Sequence, residues 1–291
     1  MAGEKKTLEE GYAEVNGVRL HYVRQGEGPL ALLLHGFPEF WYSWRHQLPF
    51  LAESHLAVAP DLRGYNTSDK PRGVSAYYME ELMGDVRELI RHFGSEKAVI
   101  ISHDWGGVIA WNLAAFYPEV VDRLVVMNAP HPVVYLRELR RNPRQRRASW
   151  YVFMFQIPGL PEWYVRRNDF QMLDKAFSGW AIRKEAFSTE DLRKFKEAMN
   201  QPGCLTAAIN YYRGLFRDPS GIRRLREFPK ISVPTQIIWA DRDRALTNEL
   251  THDLEPYFTV EPEIRYVPRC SHWVQQEQPE IVNRFLEEFL S

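Results

Sequence analysis

The sequence predicts an α/β fold: a mostly parallel sheet flanked by helices, with a helical cap inserted into it. Three observations carry the prediction. Short apolar runs of strand length recur at residues 30–34, 56–59, 98–101, 124–127, 236–239 and 264–267. Runs that short and that continuously apolar are strands covered on both faces. Helical patterns separate several of them, at 79–93 and 108–117, and strand–helix–strand alternation makes a parallel sheet. The third observation is an interruption. From His131 to Phe228 no buried strand is legible, and the stretch is rich in Arg, Trp, Tyr and Phe.

The elements follow in order. Residues 12–15 and 18–23 flank Asn16-Gly17, a two-residue turn signal, and read as a hairpin. The alternating strands and helices follow, up to residue 127. Within the interruption, residues 161–173 and 189–200 read as helices, and Ser188 with Asp191 three positions on is a cap signal for the second. Strands resume at 236–239 and 264–267, and residues 280–290 form an amphipathic closing helix. A sheet that stops and resumes around about a hundred residues contains an insertion. The division is 1–130 with 229–291 as the core domain, and 131–228 as the cap. Ligands bind at the carboxyl ends of strands in such sheets, so a cap there is read as a lid. The basic run at residues 137–147 is read as a solvated helix face and loop.

Composition excludes several classes. The chain has 291 residues, 45% hydrophobic and 26% charged, as folded globular proteins do. A net charge of −1 gives no overall excess to neutralise phosphates, so nucleic acid is not expected as a partner. Two cysteines, Cys204 and Cys270, make neither a disulfide framework nor a zinc site. The polar first ten residues lack a signal-peptide core, and no apolar run is long enough to span a membrane. The expectation is a cytoplasmic protein, monomeric or homodimeric.

The sharpest local signal is Ile101-Ser102-His103-Asp104-Trp105-Gly106-Gly107, after a strand and before a helix. Small residues two before and two after Asp104 permit a tight, strained turn that lifts the central side chain above the sheet. The competing reading is an ordinary helix N-cap. A second motif, His35-Gly36-Phe37-Pro38, ends another strand. A loop here can aim the backbone N–H of Phe37 at Asp104, and with the N–H of Trp105 it would make an oxyanion hole. Further on, Asp243 follows the strand 236–239, with Asp241 as its near alternative, and His272 follows the strand 264–267. Nucleophile, acid, histidine is the order of the α/β-hydrolase triad. Asn128, after the strand 124–127, stands where some members of that fold carry the acid, but an amide has no charge to give.

Together these motifs resemble the α/β-hydrolase fold and, within it, the epoxide hydrolases, over about residues 11–290. The resemblance rests on the stretch from His35 through Pro38 and Glu39 to Arg45, on Asp61-Leu62-Arg63-Gly64-Tyr65, on Ser102-His103-Asp104-Trp105-Gly106-Gly107 and on Ser271-His272-Trp273. It implies two lid tyrosines. One precedes a Phe-Gln-x-Pro-Gly stretch, which is Tyr151 here; the other precedes an Arg in a late lid helix, which is Tyr212. Tyr164 and the adjacent Tyr211 compete for those roles.

The residue types suit that chemistry. A serine attacking an epoxide carbon would leave an ether, whereas an aspartate leaves an ester that water can cleave. Two phenol groups would stabilise the alkoxide as the ring opens. His272, oriented by Asp243, would then activate water. No metal and no organic cofactor is called for. Phe37, Pro38, Trp105, Trp150 and Phe153 are the expected substrate-binding walls, and a small epoxide the expected partner. A haloalkane or haloacid dehalogenase uses the same Asp nucleophile, but it would leave the paired tyrosines unexplained. A non-catalytic binding protein on this fold would show a broken triad.

Overall fold

The computed structural model of the chain describes residues 7–291. The first six residues of the polar N-terminus lie outside the described residues. Eight strands form one sheet: β1 (Glu9–Val15), β2 (Val18–Gln25), β3 (Leu30–Leu34), β4 (Leu56–Pro60), β5 (Ala98–His103), β6 (Val121–Met127), β7 (Thr235–Ala240) and β8 (Glu263–Val267). Their spatial order is β1-β2-β4-β3-β5-β6-β7-β8. β1 pairs antiparallel with β2, and β2 with β4; the other pairs are parallel. Asn16 and Gly17 both adopt positive φ, as the hairpin turn between β1 and β2 requires.

The helices are α1 (Gln47–Leu51), α2 (Met79–His92), α3 (Trp105–Phe116), α4 (Pro132–Arg141), α5 (Pro143–Ala148), α6 (Trp150–Met154), α7 (Leu160–Ala176), α8 (Thr189–Met199), α9 (Cys204–Arg217), α10 (Gly221–Arg226), α11 (Val274–Glu277) and α12 (Pro279–Leu290). Side chains of the central strands alternate between two apolar layers, because successive residues of a strand point to opposite faces. Leu32, Leu34, Ile100 and Val126 join one layer with α2 and α3. Leu33, Val99, Ile101 and Val125 join the other with α1 and α12. β3 and β5 are buried along their whole length. That is why they read as unbroken apolar runs.

Between β6 and β7 the chain makes seven α-helices and no strand. The capping box of α8 is present: Ser188 Oγ accepts from the N–H of Asp191, and the Asp191 carboxylate accepts from the N–H of Ser188. Several strands run longer than the sequence reading, β1 starting at Glu9 and β6 at Val121, and two helices depart from it. α3 begins at Trp105 rather than 108, since the turn at Asp104 passes directly into it. The helix expected at 161–173 is broken, with Arg167–Phe170 off helical geometry. Phe170 is buried at the break, so packing overrides the local helical preference.

The insert is fastened to the sheet layer by specific bonds. Tyr211 donates its hydroxyl to the carbonyl of Arg63 at 2.7 Å. Trp273 donates its indole N–H to Ala176 at 2.8 Å. Glu277 accepts from the N–H groups of Ile182 and Arg183. No helix among the described residues is long and apolar enough to cross a membrane.

Candidate active site

β4 and β5 lie on opposite sides of β3. Their loops diverge there, which opens a crevice at the carboxyl ends of the strands. Asp104 stands at the end of β5 with φ 48 and ψ −118. A non-glycine residue in that region is strained, and it persists only because the surroundings dictate it. No hydrogen bond makes Asp104 a helix cap. The crowding explains the neighbouring glycines. A Cβ on Gly106 would lie 2.1 Å from the carbonyl oxygen of Leu34, and one on Gly36 would lie 2.4 Å from the Asp104 carboxylate.

The N–H of Phe37 donates to Oδ1 of Asp104 at 2.7 Å. The N–H of Trp105 opens α3 and so has no carbonyl one turn back to receive it. Across the crevice, Nε2 of His272 is 3.6 Å from Oδ2 of Asp104, and its Nδ1 is 2.6 Å from Oδ2 of Asp243. Asp243 Oδ1 accepts from the N–H groups of Ala245 and Leu246. Asp241 turns elsewhere, accepting from the N–H of Cys270 and facing Arg242. Asn128 donates to Asp243 at 2.8 Å and accepts from the N–H of Ala240, so it holds the Asp243 carboxylate in place.

Electrostatics follow from this packing. Burial pushes the Asp243 pKa up, but the His272 imidazole and the Asn128 amide outweigh it and hold the carboxyl below its ordinary value. Burial pushes His272 down, yet Asp243 and Asp104 on either side raise it well above the usual histidine range. Tyr151 and Tyr212 are raised well above the usual phenol range, chiefly by burial and, among other charges, by Asp104. Both therefore hold their protons at neutral pH.

Two cavities meet at Asp104. The first, about 240 Å³, is lined by Phe37, Pro38, Trp150, Phe155 and Trp273 among others. The second, about 370 Å³, is lined by Trp105, Val108, Leu136, Phe153 and Phe216 among others. Asp104, Tyr151 and Tyr212 line both, and their shared position puts the two phenols and the carboxylate at one junction. The tyrosine rings lie 5.8 Å apart at 80°. Tyr164 reaches only the first cavity. Tyr211 lines neither, and its hydroxyl is committed to Arg63.

Sequence reasoning missed a polar layer behind the site. Glu39 is fully buried and bonds Nδ1 of His103 at 2.7 Å, while Nε2 of His103 meets the carbonyl oxygen of His272 at 2.8 Å. Both ring nitrogens of His103 thus face oxygen atoms of the frame. Glu39 also accepts from Gly36, Gln275 and Gln276. It thus ties the loops after β3, β5 and β8 into one frame. Burial raises the Glu39 pKa, but His103 outweighs it and pulls it to about 2. The only sequence signal was that both residues lie inside the two motifs.

The strand order and the residues at the strand ends define a hydrolase of the α/β-hydrolase class. The sequence model of that fold matches residues 29–156. The chain is 41% identical over 283 residues to the AB hydrolase superfamily protein YfhM of Bacillus subtilis, covering 96% of each. It is 37% identical to Epoxide hydrolase 2 of Caenorhabditis elegans, covering 98% of this chain and 81% of that one. A crystal structure of Bacillus megaterium epoxide hydrolase with an inhibitor superposes with a TM-score of 0.89 at 35% identity, covering 96% of this chain and 99% of that one. The chain belongs to the epoxide hydrolase family.

Proposed function

We propose that the protein hydrolyses epoxides to vicinal diols through an ester on Asp104. The observation that carries this reading is the junction: a strained carboxylate, two protonated phenols and an Asp-oriented histidine around one apolar cavity system.

Phe37 occupies Oδ1, which leaves Oδ2 of Asp104 to attack an epoxide carbon. As the carbon–oxygen bond breaks, Tyr151 and Tyr212 hold the departing oxygen and one gives it a proton. Alkylation removes the charge of Asp104, one of the two that raise His272. The imidazolium then returns a proton to the tyrosinate and becomes a neutral base. It takes a proton from water, and the hydroxide attacks Cγ of Asp104. The tetrahedral oxyanion rests on the N–H groups of Phe37 and Trp105. The ester collapses, the alkoxide takes the carboxyl proton, and diol leaves. Asp104 returns as a carboxylate with one oxygen from water, and His272 as an imidazolium.

In this reading residues 131–228 are the lid over residues 7–130 and 229–291, and Phe37, Pro38, Trp105, Trp150 and Phe153 are walls for a small epoxide. The two cysteines are buried and unpaired, which supports a reducing compartment such as the cytoplasm. The test is a single turnover of excess enzyme with styrene oxide in ¹⁸O water. An unlabelled first diol is expected. A fully labelled first diol would mean that water attacks the epoxide directly. Halide released from haloalkanes without any diol would point to a dehalogenase.

A further inference from the structure

The overall charge of −1 hides a segregation. Residues 131–228 carry 19 Lys and Arg against 10 Asp and Glu, a net +9; the rest carry 18 against 28, a net −10. Much of the positive charge is unneutralised. Arg140 and Arg141 at the end of α4, and Arg146 and Arg147 on α5, have no carboxylate within 4 Å among the described residues and are exposed.

The same insert holds nine of the thirteen large apolar side chains left exposed among the described residues. Several cluster beside Arg140. Arg140, Phe153, Leu215 and Phe216 line the second cavity together. Phe153 and Phe216 pack ring to ring at 6.0 Å, and Arg217 reaches the carbonyl of Gln156, next to exposed Ile157. An apolar patch of this kind, fringed by unpaired cations, is where a protein meets an apolar phase with an anionic edge.

We propose that this face of the insert docks on an anionic phospholipid surface, with the mouth of the second cavity turned to the lipid. The charge asymmetry selects an anionic partner. Aliphatic Ile157 and Leu215 select hydrocarbon over nucleic acid, since they offer nothing to phosphates or base edges. The inference goes beyond the reaction proposed above and stands without it.

The test is flotation of the full chain with phosphatidylcholine vesicles, with and without phosphatidylglycerol. Binding is expected only when phosphatidylglycerol is present, weakening as salt rises and shifting tryptophan emission to the blue. Each basic residue near such a surface adds about fivefold in affinity. The Arg141→Glu/Arg146→Glu/Arg147→Glu variant is therefore expected to lose about a hundredfold or more. Ile157→Ser is expected to bind more weakly while keeping its salt dependence. Both variants are checked for folding by thermal melting and by styrene oxide turnover, which vesicle binding does not enter. No flotation, equal binding to neutral vesicles, or full binding by the triple variant would overturn the proposal. So would tighter binding to an RNA oligonucleotide, or sedimentation as a dimer that the triple variant disrupts.

Discussion

Nε2 of His272 stands 3.6 Å from Oδ2 of Asp104, beyond hydrogen-bonding length yet close enough for the two to feel each other's charge. The contrast with the 2.6 Å bond from His272 to Asp243 gives the two carboxylates different work. One is locked to the histidine; the other is free to leave it for an electrophile.

Removing the base should therefore separate the two halves of the reaction. His272→Gln is expected to lose turnover by about 10³-fold while still forming the ester. Intact-protein mass spectrometry should show one added substrate mass per chain after incubation with styrene oxide. An unmodified mass in that variant would sink the two-step scheme.

The two phenols share one junction with Asp104. Tyr151→Phe and Tyr212→Phe should each slow ester formation by about 10²-fold, with the double variant slower still. Stopped-flow rates of alkylation are the measurement. Wild-type rates in both single variants would remove the tyrosines from the chemistry.

Gly36→Ala would place a methyl group 2.4 Å from the Asp104 carboxylate, on a loop pinned by Glu39. Turnover should fall by at least about 10²-fold through misplacement of the nucleophile. Circular dichroism should remain that of the wild type. Unchanged kcat would mean that the loop yields freely.

Glu39 links the fold to pH. Its folded pKa of about 2 lies below the ordinary 4.5, so the ionised Glu39, held by His103, His35 and the Gly36 N–H against the cost of burial, stabilises the protein at neutral pH. That contribution, about 3 kcal/mol, is lost as pH falls from 4.5 through 2. Glu39→Gln should lower Tm at pH 7 and flatten the fall in Tm below pH 4.5. A melting curve that falls as steeply in the variant would contradict this.

The parts legible in the sequence are the local ones. The elbow at Asp104 and the hairpin at Asn16-Gly17 are written in a few consecutive residues, because backbone strain and turn geometry select residue types on the spot. Asp243 and His272 were legible through their place after strands. Glu39 and His103 were legible only as motif members: they meet across 64 positions, and such a contact leaves no periodic mark. Tyr211 and Tyr212 are neighbours of one type, and only the packing of α9 decides which faces Asp104. The break in α7 was hidden for a similar reason, since burial of Phe170 is a tertiary demand.

Tyr151 and Tyr212 belong to the helical insert, whereas Asp104, Asp243 and His272 belong to the loops of the sheet. In the mechanism proposed above, the group that opens the electrophile and the group that clears the ester are thus inherited through separate stretches of chain. That mechanism implies that replacing the insert with a different helical block changes which molecules alkylate Asp104, while water still cleaves whatever ester forms. A lineage carrying this arrangement can explore new leaving groups without rebuilding its hydrolytic half.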